Sequence, residues 1–167
     1  FAVQGLKTTQ SIKEFMPDIN TILIPAFKAD YVWNHREQKK KTTLNNILVT
    51  MPISIEISKL IISMVIGIGN KIENRKYNFI VKPHPTRLDN KIFNGLLKDL
   101  PENVKFTSEK SFPKLLNESD ILITEASSTC LEAISIGVPV LIIRGKSGVF
   151  LNPIPKDLDK ELYRFCS

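Results

Sequence analysis

The chain has 167 residues, 43% of them apolar and 24% charged, the balance of an ordinary globular domain; this excludes a mainly disordered or collagen-like polymer. A chain of this size buries roughly 70% of the surface its unfolded form exposes, so it holds a core without metal or disulfide staples. The formal net charge of +6 favours an anionic partner without naming one.

Taken in chain order, residues 1–44 open with a strand end at residues 1–4 and a turn at Gly5. A further strand is expected at residues 29–33, and then comes the polar, basic stretch 34–46. This part is expected to be an interdomain linker with the remnant of an amino-terminal domain. Because the first residue is Phe1 and not Met, the chain is expected to be cut from a longer one. Its lysine cluster, Lys39-Lys40-Lys41, is read as a solvated face.

Residues 45–167 read as a second domain. Short β-branched runs at 47–50, 78–82, 104–107, 121–124 and 138–143 alternate with helical patterns at 57–68, 90–100, 112–118 and 129–136. Strand and helix in strict alternation predict a parallel sheet with crossover helices. Several of the runs are continuously apolar, as befits strands covered on both faces. The expected fold class is therefore α/β, a Rossmann-like doubly wound parallel sheet. Two prolines make 151–155 a loop, and residues 158–165 are expected to form a last helix.

The most apolar stretch, residues 53–68, is interrupted by Glu56, Ser58, Lys59 and Ser63 and is too short and polar for a membrane span. No secretory signal is visible. The two cysteines, Cys130 and Cys166, fit neither a metal spacing nor a disulfide framework and are read as reduced thiols of a cytosolic protein.

In an open parallel sheet, ligands bind beyond the carboxyl ends of the strands. Lys82-Pro83-His84-Pro85-Thr86-Arg87 follows the second expected strand of this domain. Its two prolines rigidify the turn, and an imidazole held there can donate to a phosphate or, if protonated, offset charge on a leaving group. Lys82 and Arg87 flank it with positive charge.

Thr124-Glu125-Ala126-Ser127-Ser128-Thr129 follows the fourth strand of this domain and leads into a helix. Hydroxyl residues at a helix start cap backbone donors, and the same donors with the helix dipole form an anion site. Glu132 falls four residues after Ser128, one turn on, where a carboxylate could accept from ribose hydroxyls. The turn Thr50-Met51-Pro52-Ile53-Ser54 lacks a Gly-x-Gly-x-x-Gly fingerprint, and Gly67-Ile68-Gly69 ends its helix instead of opening it, which argues against an NAD or FAD site. Gly145-Lys146-Ser147 lacks the upstream glycine of a P-loop and is not read as one.

Val81-Lys82-Pro83-His84-Pro85, then Ser119-Asp120-Ile121-Leu122-Ile123-Thr124, Ser127-Ser128, Glu132-Ala133 and Gly137-Val138-Pro139-Val140 together resemble the carboxyl-terminal, nucleotide-binding domain of GT-B glycosyltransferases. The closest flavour is the bacterial surface-polysaccharide enzymes: sialyl-, polysialyl- and Kdo transferases that use CMP-sugars, and CDP-glycerol transferases. The resemblance covers residues 45–150.

It implies that His84 contacts the donor phosphate and helps the leaving group depart, with Lys82 and Pro85 in the same nucleotide-binding turn. Ser127, Ser128 and Thr129 would bind that phosphate, and Glu132 would hold the ribose. Retaining enzymes of this fold often show Glu-x7-Glu, whereas only six residues separate Glu125 from Glu132, which points to inversion. The histidine of the Gln-His-Gly segment common near the domain junction is absent at Gln4-Gly5.

The resemblance implies no cofactor and no metal, the CMP- or CDP-activated donor being a substrate. It also implies a glycan acceptor, a general base from the missing amino-terminal domain, and a role in capsule or related polysaccharide biosynthesis. This piece alone is expected to be inactive. A cytoplasmic location is expected, with peripheral contact at the inner face of the membrane. A UDP-sugar 2-epimerase-like domain is one alternative. A non-catalytic module binding anions or nucleic acid is the other, but spread basic residues and sparse aromatics argue against a nucleic-acid partner.

Overall fold

The computed structural model describes residues 1–25, 30–34, 44–72, 76–86, 93–98, 100–144, 152–155 and 158–166. The Lys39-Lys40-Lys41 cluster, Arg87 and Gly145-Lys146-Ser147 lie outside the described residues. The chain divides into two compact units, residues 1–34 and 35–167.

In the first unit, β1 (Ala2–Gln4) pairs in parallel with β2 (Ile22–Ile24), Ala2 opposite Ile22 and Gln4 opposite Ile24, across helix α1 (Leu6–Phe15). Gly5 takes φ 84° where strand gives way to helix, a conformation glycine adopts without penalty. Strand–helix alternation thus begins before residue 45, which the periodicity does not announce. The reason is that α1 buries none of its residues, so no apolar stripe marks it. The strand expected at residues 29–33 is instead α2 (Asp30–Asn34), one helical turn with Asp30 in its first turn, where a carboxylate meets the positive end of the dipole.

The second unit is a six-stranded, all-parallel sheet built from β3 (Asn46–Thr50), β4 (Asn78–Lys82), β5 (Val104–Phe106), β6 (Ile121–Glu125), β7 (Val140–Ile143) and β8 (Tyr163–Cys166). Across the sheet the order is β5-β4-β3-β6-β7-β8. The chain first builds outward from β3 to β5, returns to lay β6 beside β3, and then builds outward on the other side. This is the doubly wound Rossmann order, with its switch point between β3 and β6.

The connecting helices are α3 (Ile55–Lys71), α4 (Asn94–Leu97), α5 (Phe112–Glu118) and α6 (Ser128–Ser135). Right-handed crossovers put α3 and α4 on one face, and α5 and α6 on the other. Leu48, Val49, Leu122, Ile142, Ile61, Ile62, Leu115 and Leu116 are buried in strands and helices alike, which is why the strand runs read as continuously apolar. No helix among the described residues is long and apolar enough to cross a membrane.

Two sequence expectations change here. Residues 158–165 do not form a helix: a 3-10 turn at Lys160–Leu162 leads into β8, which joins the sheet edge beside β7. The expected strand at 138–143 begins at Val140, because Pro139 has no N–H to give the ladder; its carbonyl still accepts from the Leu122 N–H at 3.0 Å.

α3 approaches β5 at Gly69. A Cβ there would stand 3.0 Å from Val104 Cγ2, 3.2 Å from Asn103 Oδ1 and 3.3 Å from Pro101 Cγ. Gly69→Val is therefore expected to destabilise the unit by about 1–3 kcal/mol through overpacking. Urea unfolding checks this; a midpoint unmoved by the substitution would mean that the helix simply slides aside.

Candidate functional site

The carboxyl ends of β4, β3 and β6 lie along one edge of the sheet. Thr50 pairs with Lys82 across the β3–β4 ladder, Val49 pairs with Ile123 on the other side, and the Thr50 hydroxyl donates to Thr124 Oγ1 at 2.8 Å in the interior. The turn after β4, carrying His84, and the turn after β6, carrying Ser127, therefore leave the same edge on either side of β3. Two strand spacings, roughly 10 Å, separate their strands.

His84 is partly exposed in the turn after β4, beside buried Pro83. Its Nδ1 accepts the Thr86 backbone N–H at 3.2 Å and lies 2.8 Å from Thr86 Oγ1. Pro85 and Thr86 are exposed. Lys82, two residues earlier, donates from Nζ to the Lys110 carbonyl at 2.7 Å, so one of its three donors is spent on the loop after β5. Lys110 is in turn paired with Glu118 at 2.8 Å. Partial burial of Lys82 pushes its ammonium below the usual lysine range.

Ser127 occupies the N-cap of α6 as expected, with extended backbone at φ −150° and ψ 168°, but its hydroxyl caps no backbone donor. The oxygen lies 2.5 Å from Thr129 Oγ1, and Thr129 Oγ1 stands 3.4 Å from Thr124 Oγ1. A hydroxyl cluster thus runs from the sheet interior to the helix start. The contrast with α3 is direct: there the Ser54 side chain accepts the Ile57 N–H and closes that helix end. The amino end of α6 is left without a side-chain cap from Ser127, while its Cys130 N–H donates to the Ser127 carbonyl at 3.1 Å.

Ser128 is exposed and Thr129 half-buried. Glu132, one turn after Ser128, is only 8% exposed and belongs to the inward face of α6. Glu125, at the end of β6, has its carboxyl pushed above the usual range by burial. Cys130 is buried, which raises its thiol, and its Sγ points to the Glu125 carbonyl at 3.6 Å. Among the described residues Cys130 and Cys166 are free thiols.

Sequence reasoning gave no role beyond its place in the Ser119–Thr124 motif to Asp120, which is 7% exposed and accepts the Asn45 and Asn46 N–H groups at 3.0 and 2.8 Å. It also passed over Asp157-Leu158-Asp159, an Asp-x-Asp sequence of the kind that can hold a divalent cation. Asp159 accepts the Glu161 N–H at 2.9 Å and caps the turn before β8, while Asp157 lies outside the described residues. Among the described residues no three His, Cys, Asp or Glu side chains gather as metal ligands. A cavity of about 300 Å³ is lined by Lys160 of the 3-10 turn and by Tyr163, Arg164 and Phe165 of the edge strand β8, and neither His84 nor Ser127 lines it. The candidate site is defined by topology and side-chain chemistry.

Fold and site together define an α/β domain of Rossmann strand order with polar turns at its switch-point edge. No protein-family model matches the sequence, and no curated protein matches it. Solved structures with a similar fold include the glycosyltransferase SnogD from Streptomyces nogalater, at 20% identity and TM-score 0.47 over 63% of this chain and 27% of that one. The UDP-GlcNAc 2-epimerase from Neisseria meningitidis is similar at 18% identity and TM-score 0.48 over 86% of this chain and 35% of that one. KpsC, the beta Kdo 2,7 transferase of Thermosulfurimonas dismutans, is similar at 19% identity and TM-score 0.43 over 70% and 40%. The chain thus spans well under half the length of each. The likeness is one of fold.

Proposed function

We propose that the chain is the donor-nucleotide-binding part of a GT-B glycosyltransferase, inverting and metal-independent, that takes a CMP- or CDP-activated donor in surface-polysaccharide synthesis. The observation that carries this reading is the placement of the His84 turn and the α6 amino end, uncapped by the Ser127 side chain, on one sheet edge, flanking the switch point. Both are donors of hydrogen bonds to an anion, and the edge is where this fold receives nucleotides. The order of the two motifs along the chain, and the acid Glu132 behind the second, match the resemblance described above.

In the reaction proposed, an acceptor hydroxyl attacks the anomeric carbon in line as the bond from that carbon to the nucleotide phosphate oxygen breaks. The negative charge left on the departing phosphate is met by His84, the Ser127 hydroxyl and the amino end of α6. The acceptor proton goes to a base outside this chain. Lys82 adds positive charge near the same phosphate, and Glu132 holds the ribose. The acceptor glycan, the partner domain and peripheral attachment at the inner membrane face belong to this same proposal.

Calorimetric titration with CMP, CDP, UDP and ADP tests it, run with and without Mn²⁺. Cytidine nucleotides are expected to bind best and equally with or without the metal, and the chain alone to turn nothing over. Heat from none of the four at protein concentrations that would reveal a millimolar constant would reject the proposal. Binding that needs Mn²⁺ would reject metal independence and turn attention to Asp157-Leu158-Asp159.

A further inference from the structure

We propose that Thr86 is a positioning residue that fixes His84 as the Nε2–H tautomer, so that the neutral ring presents a single N–H donor outward from the sheet edge. A peptide N–H can only donate. Since the Thr86 N–H is directed at Nδ1 at 3.2 Å, that nitrogen must hold its lone pair, and the ring hydrogen of the neutral imidazole sits on Nε2. Turning the ring over would set a ring C–H against the Thr86 N–H. The Thr86 hydroxyl, 2.8 Å from Nδ1, reaches the same nitrogen from the side chain.

The local sequence makes this arrangement self-contained. Pro83 and Pro85 carry no N–H, so only His84 and Thr86 contribute backbone donors within residues 83–86, and the Thr86 donor is committed to the ring. Among the described residues Nε2 has no protein partner. A ring nitrogen that already bears a hydrogen gives a hydrogen bond and cannot take a proton from an acceptor hydroxyl. His84 is thereby assigned as a donor to the leaving phosphate and not as the general base. This assignment of role rests on the nucleotide-binding reading; the tautomer does not.

Two measurements separate these. In the nitrogen-15 spectrum of the full chain without ligand at alkaline pH, Nδ1 of His84 is expected to be the bare nitrogen and Nε2 the protonated one. A coupling across the hydrogen bond from the Thr86 amide nitrogen to Nδ1 is expected as well. A hydrogen on Nδ1, or no such coupling, overturns the tautomer.

The second measurement is CDP affinity. Thr86→Ala, which keeps the amide but frees the ring from the hydroxyl, is expected to weaken CDP binding about 3–10-fold, the worth of one hydrogen bond. Thr86→Ser is expected to restore it. Equal affinity in Thr86→Ala and the unsubstituted chain overturns a positioning role for the hydroxyl, while the amide, kept in both, is tested by the spectrum. If the unsubstituted chain binds no nucleotide, the proposed function falls, and the spectrum alone decides the tautomer.

Discussion

Asp120→Ala is expected to destabilise the second unit by about 1–3 kcal/mol, because it strands two part-buried backbone donors at once. Its Oδ2 receives the N–H groups of Asn45 and Asn46, at 3.0 and 2.8 Å, where β3 enters the sheet. The same corner is closed by the Asp120 N–H on the Asn46 carbonyl at 2.8 Å and by Asn46 Nδ2 on the Glu118 carbonyl at 3.0 Å. The carboxylate thus ties the start of the central strand to the start of β6, and with it the alignment of both carboxyl ends. Urea unfolding at neutral pH reads the loss. Asp120→Asn, which keeps an acceptor oxygen but not the charge, is expected to fall between. A midpoint for Asp120→Ala equal to that of the unsubstituted chain would show that water satisfies both donors.

His84→Ala is expected to weaken CDP binding about 10–100-fold, the effect of removing a hydrogen bond to a charged group. Stability should move by no more than about 0.5 kcal/mol, as for a surface residue whose contacts are local. Among the described residues the ring's hydrogen bonds run to Thr86, two residues away in the same turn. Calorimetry for binding and thermal unfolding for stability separate the two effects. CDP binding of undiminished strength in His84→Ala would place the phosphate away from this turn and dissolve the pairing of His84 with Ser127.

Elements that carry their own periodicity and bury themselves were legible. β4 and α5 fall on the residues expected, and β3, β6 and α6 within one residue at either end, since apolar runs of strand length between helical patterns have few other uses. β8 was not. Leu158, Leu162 and Phe165 can line one side of a helix, yet Tyr163 and Phe165 also stand at strand spacing. In the structure their rings meet edge to face at 5.5 Å, while the Arg144 guanidinium lies 4.6 Å from the Phe165 ring. Pairing with β7 selects the second period. No feature within residues 158–165 could have done so.

The candidate site divides the same way. Residue type and position after a strand single out His84 and Ser127, because a parallel sheet offers its ligands only one edge. Which hydroxyl meets which is a different matter. Ser127 looks like a helix cap in the sequence, yet its oxygen sits with that of Thr129, and Glu132, one turn after Ser128, is turned inward.

By itself, then, the sequence determined the alternation of strand and helix, the parallel sense of the sheet and the turns that carry polar chemistry, since these follow from local periodicity and chain punctuation. Only the tertiary structure decided that β6 lies beside β3, that Asp120 clamps the start of β3, and that Thr86 sets the hydrogen on the His84 ring. The first two join residues some 74 positions apart in the chain. The third is local in sequence but depends on a turn geometry that residue types do not specify.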